Sequence, residues 1–232
     1  MKRILLIILL TLTTLSLYSQ SDTLIFSEAI KIGFRKYKKE SDRATRRGDD
    51  ERAKFLFDSL VKNRLAGTTF DDFILKKANG AKLKLSSVKK PIMLITYSSW
   101  CITSTGEIPA LNKLAQKYGK EVQFIVLLWD KRHNISKLKR QFNRHITICY
   151  ANESYKNDAP IVSALKHKLG IPATFFIDEN MRVVDIRRCG MKKCLKKALY
   201  DEAYALNFNS YLEGLGTILL NKELKKEMLA TK

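Results

Sequence analysis

Metal-binding side chains are scarce in this chain and badly spaced. Three histidines, His133, His145 and His167, and four cysteines, Cys101, Cys149, Cys189 and Cys194, form no finger-type cluster, which argues against a structural metal site. Acid is also short, with 23 Asp and Glu against 43 Lys and Arg, for a net charge of +20. Such an excess suits anionic partners. Yet the basic residues are spread along helix faces, as at Lys36, Lys38 and Lys39 or Lys192, Lys193, Lys196 and Lys197, and no nucleic-acid motif accompanies them. The expectation is a solvated basic exterior open to transient contact with a membrane surface or an acidic protein, and no nucleic-acid partner. Low-complexity tracts and internal repeats are missing, and no cofactor is implied.

The one extended apolar run, residues 4–17, is too short for a comfortable membrane span. It follows the basic start Met1-Lys2-Arg3 and precedes Tyr18-Ser19-Gln20-Ser21, the pattern of a secretory signal peptide over residues 1–20. No cysteine lies near its end, so the expectation is an exported, periplasmic protein without a lipid anchor. All four cysteines would then meet an oxidising compartment. Their even number permits three full pairings, and spacing selects none of them.

With 232 residues and 45% hydrophobic content, the chain can build one sizeable core with extensions, or two small domains. Residues 21–65 read as a helical extension. Phe26, Ile30, Phe34 and Tyr37 keep one apolar face, a polar stretch over 38–52 interrupts it, and Ala53, Leu56, Phe57, Leu60, Val61 and Leu65 resume it. A helical hairpin packed on the core is the expectation, with docking to a partner as the alternative. Beyond it, apolar β-prone runs at 91–97, 121–128 and 146–150 alternate with helical patterns at Glu107–Tyr118, 136–143 and 160–168. Two closing strands follow around Asp178-Glu179-Asn180, the second over 181–186. This order predicts an α/β fold with a mixed central sheet flanked by helices. Residues 191–232 are helical by composition, with breaks expected at 207–209 and 214–216.

A second thiol is missing where it would matter most. Trp100-Cys101-Ile102-Thr103-Ser104 resembles a thioredoxin active site, Trp-Cys-x-x-Cys, with Ser104 in place of the second cysteine. Disulfide exchange runs through a mixed disulfide that a nearby second thiolate normally attacks, and a hydroxyl cannot do this. Cys101 lies between the buried run at 91–97 and the helix Glu107–Tyr118, so helix-start N–H groups are expected to depress its pKa. The plain alternative is a small buried hydrophobe. Cys149, inside a β-prone run, reads as a buried structural thiol.

The chain resembles the TlpA/ResA-like branch of the thioredoxin superfamily. Trp100-Cys101, then Glu107-Ile108-Pro109-Ala110-Leu111, follows that family's block except at Ser104; Gly170-Ile171-Pro172-Ala173-Thr174-Phe175-Phe176-Ile177-Asp178 resembles its cis-proline signature; the stretch from Gly67 to Ser86 resembles its leading hairpin. The resemblance spans about residues 66–206, leaving 207–232 as a helical tail. It implies a thioredoxin-like fold in which Pro172 is cis and faces Cys101. It also places Cys189 in the loop beside both, where it either resolves Cys101 or closes a local bridge with Cys194. Glu107 is a candidate for proton transfer or simply complements the helix dipole. Ile95 and the Ile102-Thr103 dipeptide depart from the family pattern.

The site residues are thus Cys101, Ser104, Glu107, Pro172 and Cys189. The function expected is a monothiol thiol–disulfide oxidoreductase acting on exported protein thiols or disulfides, or on small thiols. Two alternatives remain. A one-cysteine peroxidase finds support in Ser98, three residues before Cys101, against Leu94 where a proline would stand. A redox-inactive binding or scaffold module is the other.

Overall fold

The computed structural model describes residues 24–101, 106–188 and 200–230. The expected signal segment, Ser104, Cys189 and Cys194 lie outside these. A seven-stranded sheet runs through the centre in the order β2-β1-β5-β4-β3-β6-β7, built from β1 (Ile74–Lys77), β2 (Lys82–Lys84), β3 (Ile92–Tyr97), β4 (Gln123–Leu128), β5 (Ile146–Tyr150), β6 (Ala173–Ile177) and β7 (Val183–Arg187). All of β3 is buried, as is β4 after Gln123, which is why both read as unbroken apolar runs. Strands β3, β4 and β5 pair in parallel, and β6, β7, β1 and β2 add antiparallel. Parallel neighbours need a crossover, and between β3 and β4 it is the helix Glu107–Tyr118. The mixed sheet with helices on both faces is the thioredoxin-like fold the sequence leads one to expect.

One face is covered by the N-terminal helices α1 (Phe26–Ala29), α2 (Lys31–Arg46) and α3 (Asp50–Leu60). Phe26, Ile30, Tyr37, Phe57, Leu60, Val61 and Leu65 join Leu94, Phe175 and Ile186 of the sheet in one buried cluster, so the hairpin packs on the core. The polar stretch does not end α2 where expected. Tyr37, Ser41 and Ala44 carry the buried stripe on to the last turn, and Lys38 pairs with Asp42 on the outer face. The chain reverses at Gly48, and Asp49 caps α3 by accepting the Arg52 N–H at 2.9 Å. A wide turn over Val61–Leu65 then leads into the sheet.

The opposite face carries α4 (Glu107–Tyr118) and the long C-terminal helix, with Leu111, Leu114, Tyr211, Leu215 and Ile218 packed on Met93, Ile95 and Phe176. Between these come α5 (Ser136–Lys139) and α6 (Ala159–Ile161), which continues through Val162–Lys166 to Leu169. Helix α5 is shorter than expected because Asn112 of α4 takes the next residues for itself, donating to the Gln141 carbonyl at 2.8 Å and accepting the Asn143 N–H at 2.9 Å. The strand expected from residue 181 starts at Val183, since Met181 closes a turn on Asp178 with φ 62°. Helix α7 (Tyr200–Ala230) runs unbroken through 207–209 and 214–216. At Gly214 a methyl group would stand 2.1 Å from the Phe176 ring, so that glycine serves close helix–strand contact rather than a break.

The hairpin is therefore part of the core. Phe26 is fully buried, 5.3 Å from Phe70 and 6.0 Å from Phe175 between ring centroids. Phe26→Ala should cost about 3–5 kcal/mol in chemical denaturation. A loss under ~1 kcal/mol would show the hairpin to be a dispensable cover.

Candidate active site

Strand β3 delivers its last residues to the edge where the parallel strands end, the usual place for chemistry in such sheets. Trp129 N–H donates to the Tyr97 carbonyl at 2.8 Å and extends the β3–β4 pairing. Beyond it the chain turns, closed by the Cys101 N–H donating to the Ser98 carbonyl at 2.9 Å. Ser98 is buried, Trp100 is 68% exposed and Cys101 is half-buried, so the sulfur lies at a surface edge.

Asp130, buried at the end of β4, grips this turn. One carboxylate oxygen accepts the Ser99 N–H at 2.8 Å and the Ser98 hydroxyl at 3.3 Å, and the other accepts the Ser99 hydroxyl at 2.5 Å. On the other side of β3, the Thr96 hydroxyl meets the Ala173 backbone, accepting its N–H at 3.1 Å. The Ile171–Pro172 bond just before is cis, and the Thr96–Ala173 register sets Pro172 at the same end of the sheet as Cys101.

The expected depression of the thiol pKa is reversed. Burial pushes the Cys101 thiol above its ordinary value, and the Asp130 and Glu107 carboxylates add to the rise; a backbone hydrogen bond from Ser98 and the Lys166 charge oppose it. The sequence reading placed the helix correctly from Glu107 but left out burial, the largest cause of the shift. Gly106, left-handed at φ 80°, stands at the helix N-cap, and a helix-terminus effect fades beyond the first turn. The left-handed residue has to be glycine, since a methyl group there would lie 2.8 Å from the Tyr204 backbone of α7.

Glu107 is buried, and its Oε1 accepts from the Tyr97 hydroxyl at 2.6 Å and the Tyr211 hydroxyl at 2.8 Å. The carboxylate thus ties β3, α4 and α7 together beneath the thiol. Of the expected site, the structure gathers Cys101, Glu107 and Pro172; Ser104 and Cys189 lie outside the described residues. Sequence reasoning missed Asp130, Tyr211 and Lys166. Only Asp130 had a signal, an acid directly after a buried run. Cys149 is fully buried in β5 and its pKa is pushed up to about 12, which suits an inert structural thiol. Among the described residues, no cluster of His, Cys, Asp or Glu could hold a metal ion.

If Asp130 disfavours the thiolate through its charge, Asp130→Asn should keep hydrogen-bonding capacity at the turn while lowering the Cys101 pKa. Iodoacetamide labelling of Cys101, followed by peptide mapping across pH, should then shift its midpoint down and run ~3-fold faster near neutrality. An unmoved midpoint in a folded variant would assign Asp130 a purely mechanical role.

Comparison with known proteins places these features in context. Residues 66–186 match the model of the AhpC/TSA family. The thioredoxin-like protein YneN of Bacillus subtilis is 25% identical over 134 residues, covering 55% of this chain and 74% of that one. The thiol-disulfide oxidoreductase ResA of Geobacillus thermodenitrificans is 28% identical over 124 residues, covering 52% of this chain and 67% of its own. A crystal structure of a thio-disulfide isomerase from Thermus thermophilus shares 25% identity, covering 54% of this chain and 88% of that one, with a TM-score of 0.44. With just over half its length matched, from the leading hairpin through β7, the chain belongs to the AhpC/TSA family.

Proposed function

We propose that this protein is an exported thiol–disulfide oxidoreductase that works through the single nucleophile Cys101. The observation that carries this reading is a half-buried cysteine held at the end of β3, with cis Pro172 at the same sheet edge. The relatives named as a thioredoxin-like protein and a thiol-disulfide oxidoreductase support it, as does the basic-then-apolar start for export. Among the described residues no helix is long and apolar enough to cross a membrane.

In the forward step the Cys101 thiol loses its proton and its sulfur attacks one sulfur of a substrate disulfide. A new S–S bond forms, the substrate S–S bond breaks, and the departing thiolate takes up a proton. Ser104 cannot attack the resulting mixed disulfide. An external thiol does so at the Cys101 sulfur, freeing the substrate's other half as a second thiol and leaving Cys101 bonded to the external sulfur; a second external thiol then attacks that external sulfur and releases Cys101. The substrate disulfide has then gained two electrons and two protons, supplied by two external thiols that leave as a disulfide.

The raised thiol pKa shapes both halves. Little thiolate is present at neutral pH, which slows attack, and a sulfur of high pKa is also a slow leaving group, which prolongs the mixed disulfide. The favoured substrate is one for which a lasting adduct is useful, an exported protein cysteine awaiting an external thiol.

Mass spectrometry of the oxidised protein should find mixed disulfides on Cys101, and Cys101→Ser should abolish both these adducts and any insulin reduction. Ser104→Cys should shorten the adduct lifetime and raise insulin reduction by roughly tenfold, since an intramolecular thiol then competes with the external one. Adducts absent from Cys101, together with hydrogen-peroxide consumption that needs Cys101, would replace this reading with the peroxidase. Loss of neither activity in Cys101→Ser would leave a binding module.

A further inference from the structure

Arg188, the first residue past β7, turns its side chain onto the N-terminal hairpin. Its guanidinium carbon lies 4.3 Å from the Phe57 ring centroid and 5.8 Å from that of Tyr37, a cation–π cradle supplied by α2 and α3. Nε is fully buried with no hydrogen-bond partner. Its neighbour Arg187 is neutralised by Asp185 and Glu213, but no described carboxylate pairs with Arg188. Residues 189–199, which follow it in the sequence, contain no Asp or Glu. Burial pushes the Arg188 pKa down from its ordinary value, and Tyr37 pulls it part of the way back. An arginine stays charged through such a shift, so a guanidinium is left largely out of water without a counter-ion.

Its position links it to the thiol. Thr174 pairs with Arg187 and Ala173 with Thr96, so Arg188 follows β7 at the sheet end where Pro172 enters β6 and β3 runs out toward Cys101. Neighbouring strands are ~4.8 Å apart, which sets Arg188 roughly 10 Å from the line of β3. A methyl group on Gly170, in the turn before Pro172, would stand 3.9 Å from Arg188 Nη2. Lys166, whose charge already acts on Cys101, belongs to the helix that packs on the same face. Both Arg188 and its cradle lie outside the region that matches the family, residues 66–186.

We propose that Arg188 is an anion-recognition residue, presented by Phe57 and Tyr37 to bind a carboxylate of a small peptide-like thiol or disulfide whose sulfur reaches Cys101. Its use in turnover rests on the oxidoreductase reading, but the binding does not. Guanidinium–carboxylate pairing is strong where water is partly excluded, and a planar fork held between rings loses little freedom on binding. A neutral thiol gains nothing from this group, so the site selects by charge as well as by sulfur.

The test uses S-methylglutathione, which carries two carboxylates and no free thiol, and its dimethyl ester, titrated calorimetrically into the full-length protein. The free acid should bind wild type roughly tenfold or more tightly than the ester, and Arg188→Gln should lose that difference while Arg188→Lys keeps part of it. Equal affinity of acid and ester, no binding of the acid at millimolar concentration, or an unchanged Arg188→Gln would each overturn the proposal. Should Arg188→Gln fail to fold, the acid-to-ester ratio on wild type decides alone. Cys101→Ser should still bind the acid. Binding that depends on Arg188, in a protein whose Cys101 forms no mixed disulfide, would uphold this site and overturn only the oxidoreductase reading.

Discussion

Everything in this molecule follows from the burial of β3 on both faces. Met93, Ile95 and Tyr97 point to one side and Ile92 and Leu94 to the other, and none tolerates water. Such a strand is stable only between two covers, because leaving either side exposed would forfeit about 25 cal/mol for each Å² of apolar surface. Helices α4 and α7 form one cover; the N-terminal hairpin and α6 form the other. Cys101 then emerges at the seam between them. Two segments outside the family-matching region, the hairpin and α7, are consequently parts of the core: α7 reaches Glu107 through Tyr211, and the hairpin reaches Arg188 through Phe57.

The electrostatics of the thiol are a contest between burial and its immediate neighbours. Asp130 and Glu107 carry negative charge toward Cys101 and Lys166 carries positive charge, so the charges do not rescue the anion that burial disfavours. Asp130 also holds the turn in place, through three hydrogen bonds to Ser98 and Ser99. Asp130 therefore bears on both the position and the acidity of the sulfur, while burial is the larger cause of the raised pKa. Glu107 differs: with two tyrosine hydroxyls on one oxygen, its carboxylate holds α7 to α4 and β3.

Local patterns were legible in the sequence; long-range contacts were not. Strands β3, β4 and β5 stand where unbroken apolar runs predicted them, α4 keeps its expected bounds, and the cis bond at Pro172 agrees with the motif around it. The hairpin stripe was visible too, though Ser41 and Ala44 extend it through a stretch whose charges suggested a break. What failed depended on partners distant in the chain. Gly214 looked like a helix breaker until the Phe176 ring explained it, and α5 was cut short by Asn112. The thiol pKa was misjudged because burial and the charges of Asp130 and Glu107, none of them visible in the local pattern, raise it. No spacing rule announces Tyr211 on Glu107, since 104 residues separate them.

Ser104 and the raised thiol pKa are two consequences that fit one logic. In a dithiol site the attacking cysteine must be displaced quickly by its neighbour, and a low pKa makes it a good leaving group. A monothiol site has no internal competitor, so a readily displaced sulfur would surrender its adduct to any passing thiol. Burial beside Asp130 and Glu107 works the other way: the thiolate that does form is intrinsically more nucleophilic, and once bonded it leaves slowly. On the proposed monothiol reading, a site with serine at position 104 and a disfavoured thiolate holds a mixed disulfide, and its selectivity then rests on which partner the surroundings of Cys101 admit.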